Sequence, residues 1–483
     1  MKTKRITALL LIALLLTNFM ACGSDEPETK PAHIETETDL VEVETEPEIE
    51  YEYPEYNHEG GEFRILNQVW EFGFYEAIDH ESIRGEVLDD AIYNRNRNLE
   101  EQYNFKLVIG ESHFDHIVTD IRKFVNASED LYDTIVCSTT KIGPLVTEGS
   151  FYNMYDIDTL QLTGEWWNQS VLEEATLMGD SLFFLLGDLS LFTLESTWCL
   201  YFNESMMTDL NMEFPYDTVR ENKWTFDILH TYLQGGTNLN GDADFTWNDN
   251  GNATYGLVSY YVFPHASIIS AGELYIKQDE SNSPYLALGS DRFYTLAGKI
   301  ANICGTQGEY LSNAAGYTPI FMNGRALFMG GEIKATKELR EMEDDFGIVP
   351  LPKLEESQEF YYSSIAKAAP LLSIPITNAN AASDGILLDA MEFETYRDIV
   401  PIYYDISVSG KGLRNENSFE MLNIIRNTRI FDVGDAYGWT TTIQDKLRKS
   451  LDIGEMSAAS IIASQKTQVE KLIQDTLAMI QKQ

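Results

Sequence analysis

The chain has 483 residues, with 77 acidic residues against 34 lysines and arginines, a net charge of −43 and 44% hydrophobic residues. That length favours two or three packed lobes over one, and the apolar share is enough to build a substantial core. So acidic a chain excludes tracking along the phosphates of nucleic acid and lying flat on an anionic bilayer, because like charges repel.

The first 22 residues, MKTKRITALLLIALLLTNFMAC, set Lys2, Lys4 and Arg5 ahead of an apolar run over 6–16. Crossing a hydrocarbon core takes about twenty apolar residues, so this run reads as an export signal. It closes on Phe19-Met20-Ala21-Cys22, the form of a lipoprotein cleavage site, with Cys22 as the expected lipid anchor. Between 23 and 62, fifteen acids face the single Lys30. Such a composition cannot offset chain entropy, and self-repulsion extends it. Residues 23–61 are therefore expected to form an acidic tether, reaching roughly 130 Å when extended. Cys137, Cys199 and Cys304 sit in apolar contexts without CxxC spacing. An odd, scattered set makes no disulfide framework, so buried free thiols are expected.

The body opens with Phe63 and Ile65 alternating in EFRILN, which predicts a strand. Val87, Leu88, Ala91, Ile92, Leu99 and Tyr103 then recur at three- and four-residue steps and predict a helix. A strand over 105–109, a helix over 116–124 and a strand over 132–137 follow. Alternation of this kind predicts a mostly parallel sheet with crossover helices. Ligands sit at the carboxyl ends of such strands, here 67–71 and 138–141. The stretch 165–203 is rich in aromatics, and Thr225 can cap a helix opening in WTFD. Beyond it the pattern predicts a polar loop over 238–252, a helix over 293–303, a strand over 321–328 and a helix over 332–342. A proline-stopped strand at 347–352 suits a crossing between lobes. Helices over 381–396, 418–426 and 441–481 complete the chain.

Several ordered blocks carry a family resemblance: YDTIVCSTTKIGPLVTEGSFYNM (132–154), MGDSLFFLLGDLS (178–190), WCLYFNESMM (198–207), FMNGRALFMGGEIKATKEL (321–339) and DFGIVPLPK (345–353). Behind a lipoprotein signal, this series resembles the substrate-binding lipoproteins of ABC importers, in the extracellular solute-binding family 1 with its sugar- and oligosaccharide-binding members. The block at 180–186 lacks that family's usual Lys and Tyr, and Phe328 stands where Met is common. The resemblance implies an α/β, two-lobed, periplasmic-binding-protein-like fold of type II. Residues 62–195 and 352–412 would form the first lobe, and 196–351 with 413–483 the second. The ligand would lie in a cleft that closes by hinge motion and is held shut by contacts made only when closed. It further implies a monomeric receptor on the extracytoplasmic face of a bacterial cytoplasmic membrane. Its partners would be a small solute, most plausibly an oligosaccharide, and the transmembrane permease subunits, with no required cofactor and no catalytic step.

Matching the family's cleft-lining loops to this chain selects Gln68, Trp70 and Glu71 after the first strand, and Ser138, Thr139 and Thr140 after the third. Ser196, Thr197 and Trp198 mark the first crossing, beside Glu195. Tyr261 and Phe263, near Tyr260 and His265, Gly331 with Glu332, and the late pair Tyr437 and Trp439 come from the second lobe. Aromatic faces suit the C–H surfaces of a sugar, and planar polar groups suit its hydroxyls. Each residue has a plainer reading: Trp198 as core, Glu332 as a favourable helix start, His265 as a packed or surface histidine. The overall acidity leaves cationic ligands open and disfavours phosphorylated or sulfated sugars.

Asn238, Asn240, Asp242, Asp244 and Asp249 reproduce positions 1, 3, 5, 7 and 12 of a calcium loop. Asn at the first position and Ala243 at the turn position depart from it, leaving either a structural calcium site or a polar surface loop. No HExxH, GxSxG, GxxxxGK[ST] or strand-linked GxGxxG occurs. A glycan-active enzyme with paired carboxylates and a surface adhesin are the alternative functions.

Overall fold

Phe63, Ile65 and Leu66 are almost wholly buried in the strand Glu62–Val69, and this strand organises the first sheet. It pairs in parallel with Lys106–His113 on one side and Thr134–Ser138 on the other. Pro370–Ser373 adds antiparallel to Thr134–Ser138 and completes four strands. The helices Val87–Tyr103 and Ile117–Ala127 make the crossovers that parallel pairing requires. The first has the bounds its apolar spacing predicts, burying Ile92, Leu99 and Tyr103. The structure is a computed structural model that describes residues 51–70, 77–313, 316–408 and 416–483. The export signal, Cys22, most of the acidic tether and Glu71 lie outside the described residues.

The second sheet runs Phe346–Val349, Trp198–Asn203, Ala326–Glu332, Tyr255–Ser259, Tyr310–Ser312. Its three inner strands, WCLYFN, ALFMGGE and YGLVS, are buried along their whole length, so they do not show the apolar–polar alternation of a half-exposed strand. Each sheet with its helices forms one lobe of a two-lobed α/β fold. Among the described residues no helix is long and apolar enough to cross a membrane. Cys137, Cys199 and Cys304 are buried free thiols.

Four segments differ from their sequence patterns. Residues 321–328 are not one strand: the helix Tyr317–Met322 ends, Gly324 turns the chain at φ +66, and the strand starts at Ala326. Glu332 closes that strand opposite Trp198 instead of opening a helix, and only short turns, Ile333–Ala335 and Thr336–Leu339, follow. The final helix is two, Thr441–Asp452 and Ala458–Ile480. Between them Gly454, at φ +76, packs so closely on Gly305 that a Cβ would lie 2.4 Å from its Cα. The body begins at Glu52, because Tyr53 donates to Glu394 and His58 and Gly60 bond backbone to Tyr103 and Asn104.

The passage back to the first sheet falls at 363–369, later than the proline-stopped strand. Ser363–Ser364 pairs with Arg429–Ile430, Ile365 bridges Thr197, and the Ala366 amide donates to Ser196 O at 3.0 Å. The two passages thus run side by side. Next to them Arg429 holds Asp188 through two bonds of 2.7 and 3.0 Å, both residues buried.

Candidate functional site

The side-by-side passages floor a cavity of about 250 Å³, contributing Ser196, Trp198, Ser364, Ala366, Lys367 and Ala368. Its walls come from both lobes. Trp70 stands just beyond the strand Glu62–Val69, Tyr260 and Tyr261 just beyond Tyr255–Ser259, and Glu332 closes Ala326–Glu332. These are carboxyl ends of strands, where α/β sheets place their ligands. Phe192, His265, Lys334 and Arg448 complete the wall around them.

One wall is aromatic. Trp198 lies 5.4 Å from Tyr260, which stacks on Tyr317 at 5.3 Å and meets Tyr261 edge-on at 5.6 Å. Arg448 sits over the Tyr261 ring at 4.7 Å. From the other lobe, Trp70 stacks on Phe114 at 4.8 Å and 15°, and Lys141 caps that pair 3.9 Å above the Phe114 ring. Flat apolar faces therefore come from both lobes.

The polar groups are interlocked. The Tyr260 hydroxyl donates to Glu332 Oε1 at 2.8 Å, and Lys334 Nζ is 3.9 Å from the other oxygen. Burial, then the charge of Glu332, hold the Tyr260 phenol well above its ordinary pKa. Lys367 Nζ is 3.2 Å from Asp435 Oδ1, which also accepts from Gln444 Nε2 at 2.8 Å. His265 lies 4.0 Å from the same carboxylate and 3.3 Å from the Tyr275 hydroxyl. Burial first, then the charge of Lys367, push the His265 pKa down to about 3, so its imidazole is neutral.

Of the residues expected from sequence, Trp70, Ser196, Trp198, Tyr261 and Glu332 meet at this cavity. Gln68 is buried and accepts from the Ser138 amide at 3.0 Å. Thr139 is buried and donates to Ala369 O at 2.9 Å. Those three tie the strand ends to the second passage, while Thr140 is exposed. Thr197 is buried, its hydroxyl donating to Thr193 O. Phe263 is core, packed on Tyr310, and Gly331 lies inside its strand with its carbonyl against Cys199. Tyr437 stacks on Trp439 at 4.7 Å, and the Trp439 indole donates to Thr476 at 2.9 Å from the final helix. That bond is why an indole in so polar a stretch is buried.

Phe192, Lys334, Ser364, Lys367 and Arg448 line the cavity without having been selected from sequence. The small-residue run around Lys367, SSIAKAAP, was the available signal.

Two larger grooves, about 590 and 630 Å³, lie around the calcium-like loop and Arg325. The loop's oxygens are engaged within the loop itself. Asp242 accepts from the amides of Asn252 and Ala253, Asp244 from Thr246, Asn238 from Asn240, and Asp249 from the Trp247 indole. Asn240 donates its amide to Asn252 O. Among the described residues no three His, Cys, Asp or Glu side chains gather as a metal site.

No family model and no curated protein matches the chain. Solved structures do. An ABC substrate-binding protein from Listeria monocytogenes, in complex with cycloalternan, aligns at TM-score 0.54 and 11% identity over 86% of this chain and 99% of that one. The cyclic alpha-maltosyl-1,6-maltose binding protein from Arthrobacter globiformis aligns at TM-score 0.58 and 12% identity over 86% and 99%. An ABC transporter solute binding protein from Thermotoga lettingae, bound with alpha-D-tagatose, aligns at 0.52 and 12% over 86% and 100%. Identity this low speaks to fold alone, and the likeness spans nearly the full length of each neighbour. The chain has the two-lobed α/β fold of ABC solute-binding proteins.

Proposed function

We propose that this chain is the solute receptor of an ABC importer, held by lipid on Cys22 at the extracytoplasmic face of a bacterial cytoplasmic membrane. It captures a sugar, an oligosaccharide, between its lobes as a monomer and passes it unaltered to the transmembrane permease subunits. The observation that carries the reading is the interlobe cavity, where the Trp198–Tyr260–Tyr261 wall adjoins Glu332, Lys367 and Arg448. Aromatic faces beside planar polar groups are what sugar rings require. The sugars bound by the Listeria and Thermotoga proteins support the same class of cargo.

At about 250 Å³ the cavity falls just below the roughly 300–1,000 Å³ typical of small-molecule sites. A thermal-shift screen over mono- and oligosaccharides tests the reading. A ligand present at a hundred times its Kd adds about 2.7 kcal/mol of stability, whereas silence across the screen removes sugars as the cargo.

A further inference from the structure

The chain carries more than two acids for every base, yet its cavity inverts that ratio. Lys334, Lys367 and Arg448 line it, against Glu332 as the lining acid. Glu332 is already engaged by the Tyr260 hydroxyl and Lys334. Two of the bases are held from outside the cavity by acids that do not line it. Asp435 lies 3.2 Å from Lys367, and the half-exposed Asp445 lies 2.5 Å from Arg448, one turn back on its helix. Both bases thus line the cavity as the cationic halves of ion pairs whose acids stand behind them. Arg448 Nε is shut from solvent and has no acceptor among the described residues, and a buried donor without an acceptor is costly. His265 beside them is kept neutral first by burial, with Lys367 and Arg448 opposing its protonation and Asp435 favouring it.

We infer that the cargo is an anionic sugar, a ring whose carboxylate or other oxyanion meets Lys367 and Arg448 while its face lies on the aromatic wall. This rests on the sugar-receptor reading above and narrows it. A guanidinium and an ammonium both give charge-assisted N–H bonds to an oxyanion, and both line the cavity here. Uronate sugars are the simplest members of the class. The −43 charge of the whole chain, which on its own disfavours such a cargo, acts through solvent and is screened within about 10 Å at ordinary salt. The cavity charges act at contact.

The test is calorimetric titration of the whole protein with paired glycans of equal length and linkage, neutral against uronate, with sulfated congeners as a third arm. Binding is expected in the anionic arms, at least tenfold tighter than the neutral partner. Arg448→Gln and Lys367→Gln should each weaken it roughly tenfold or more, the second with some loss of Tm because it leaves the buried Asp435 short of its partner. A sulfated congener binding in place of the uronate identifies the oxyanion and keeps the inference. A neutral glycan that binds as tightly as its uronate partner, or variants that leave the anionic affinity unchanged, overturns the anionic assignment while the sugar reading stands. Binding of no glycan in any arm overturns both.

Discussion

The phenol of Tyr260 donates to Glu332 across 2.8 Å, so the aromatic wall and the acid of the cavity are one unit. The ring itself lies between Trp198 and Tyr317. Tyr260→Phe keeps the stack but leaves the buried Glu332 short of a donor, a loss of about 1–3 kcal/mol. It should lower thermal stability by that order and weaken ligand binding about tenfold. Tyr260→Ala also removes the stacking face and should abolish binding. Melting curves and titration with the bound glycan separate the two effects, and unchanged affinity in Tyr260→Phe would contradict a role for the pair in recognition.

How far the molecule could be read from sequence depends on how local each signal is. The first strand and the helix Val87–Tyr103 were legible because Phe63 and Ile65 alternate and Ile92, Leu99 and Tyr103 recur at helical spacing. The final helix was read as one although Gly454 was a local signal for its break: at φ +76 it turns the chain, with the Gly454 and Glu455 amides bonding back to Leu451 and Ser450. Trp70 and Trp198 were legible as cavity residues from their places at strand ends and the first passage. Lys367 and Arg448 were not, because a base contributes nothing to hydrophobic periodicity and the cavity gathers segments from 70 to 448. Trp439 misled for a related reason: its neighbours are polar, and the partner that lets it be buried, Thr476, lies in the next helix.

Asp188 and Arg429 form a buried, two-bonded ion pair beside the passages. Removing one partner strands the other charge, at a cost of about 3–5 kcal/mol. Arg429→Met should destabilise the protein by that order in urea unfolding. Pairing it with Asp188→Leu should recover much of the loss, because neither charge is then left alone. A double variant as unstable as the single one would show that the pair contributes more than mutual neutralisation.

Stability should fall as pH rises from about 5 to 8. Burial, with the nearby charge of Asp188 adding to it, raises the Glu392 carboxyl to about 8. Burial likewise raises Asp384 and Glu174 to about 7 each. Each group keeps its proton in the folded chain at pH values where the unfolded chain has lost it. Its contribution is therefore complete below the ordinary carboxylate pKa and is lost as pH climbs to the raised value, at up to about 1.4 kcal/mol per pH unit for a fully buried group. Melting at intervals across this range should show Tm falling towards pH 8, and Glu392→Gln should flatten part of the slope. A Tm that rises towards pH 8 would contradict the assignment.

Calcium should leave the melting temperature unchanged. Asp242 accepts from two backbone amides and Asp244 from one, so the loop folds on its own hydrogen bonds. Melting in millimolar calcium and in excess chelator should superimpose, and a rise in Tm with calcium would favour the structural-calcium reading of 238–249 over the polar-loop one.

A receptor captures its cargo without converting it. The most direct measurement is titration with the glycan that gives the largest thermal shift, followed by recovery of that glycan and determination of its mass. The prediction is one glycan per chain, recovered intact, with binding lost in Trp198→Ala, whose ring lines the cavity between the lobes. Cleaved glycan, or binding that survives loss of the Trp198 ring, would contradict it.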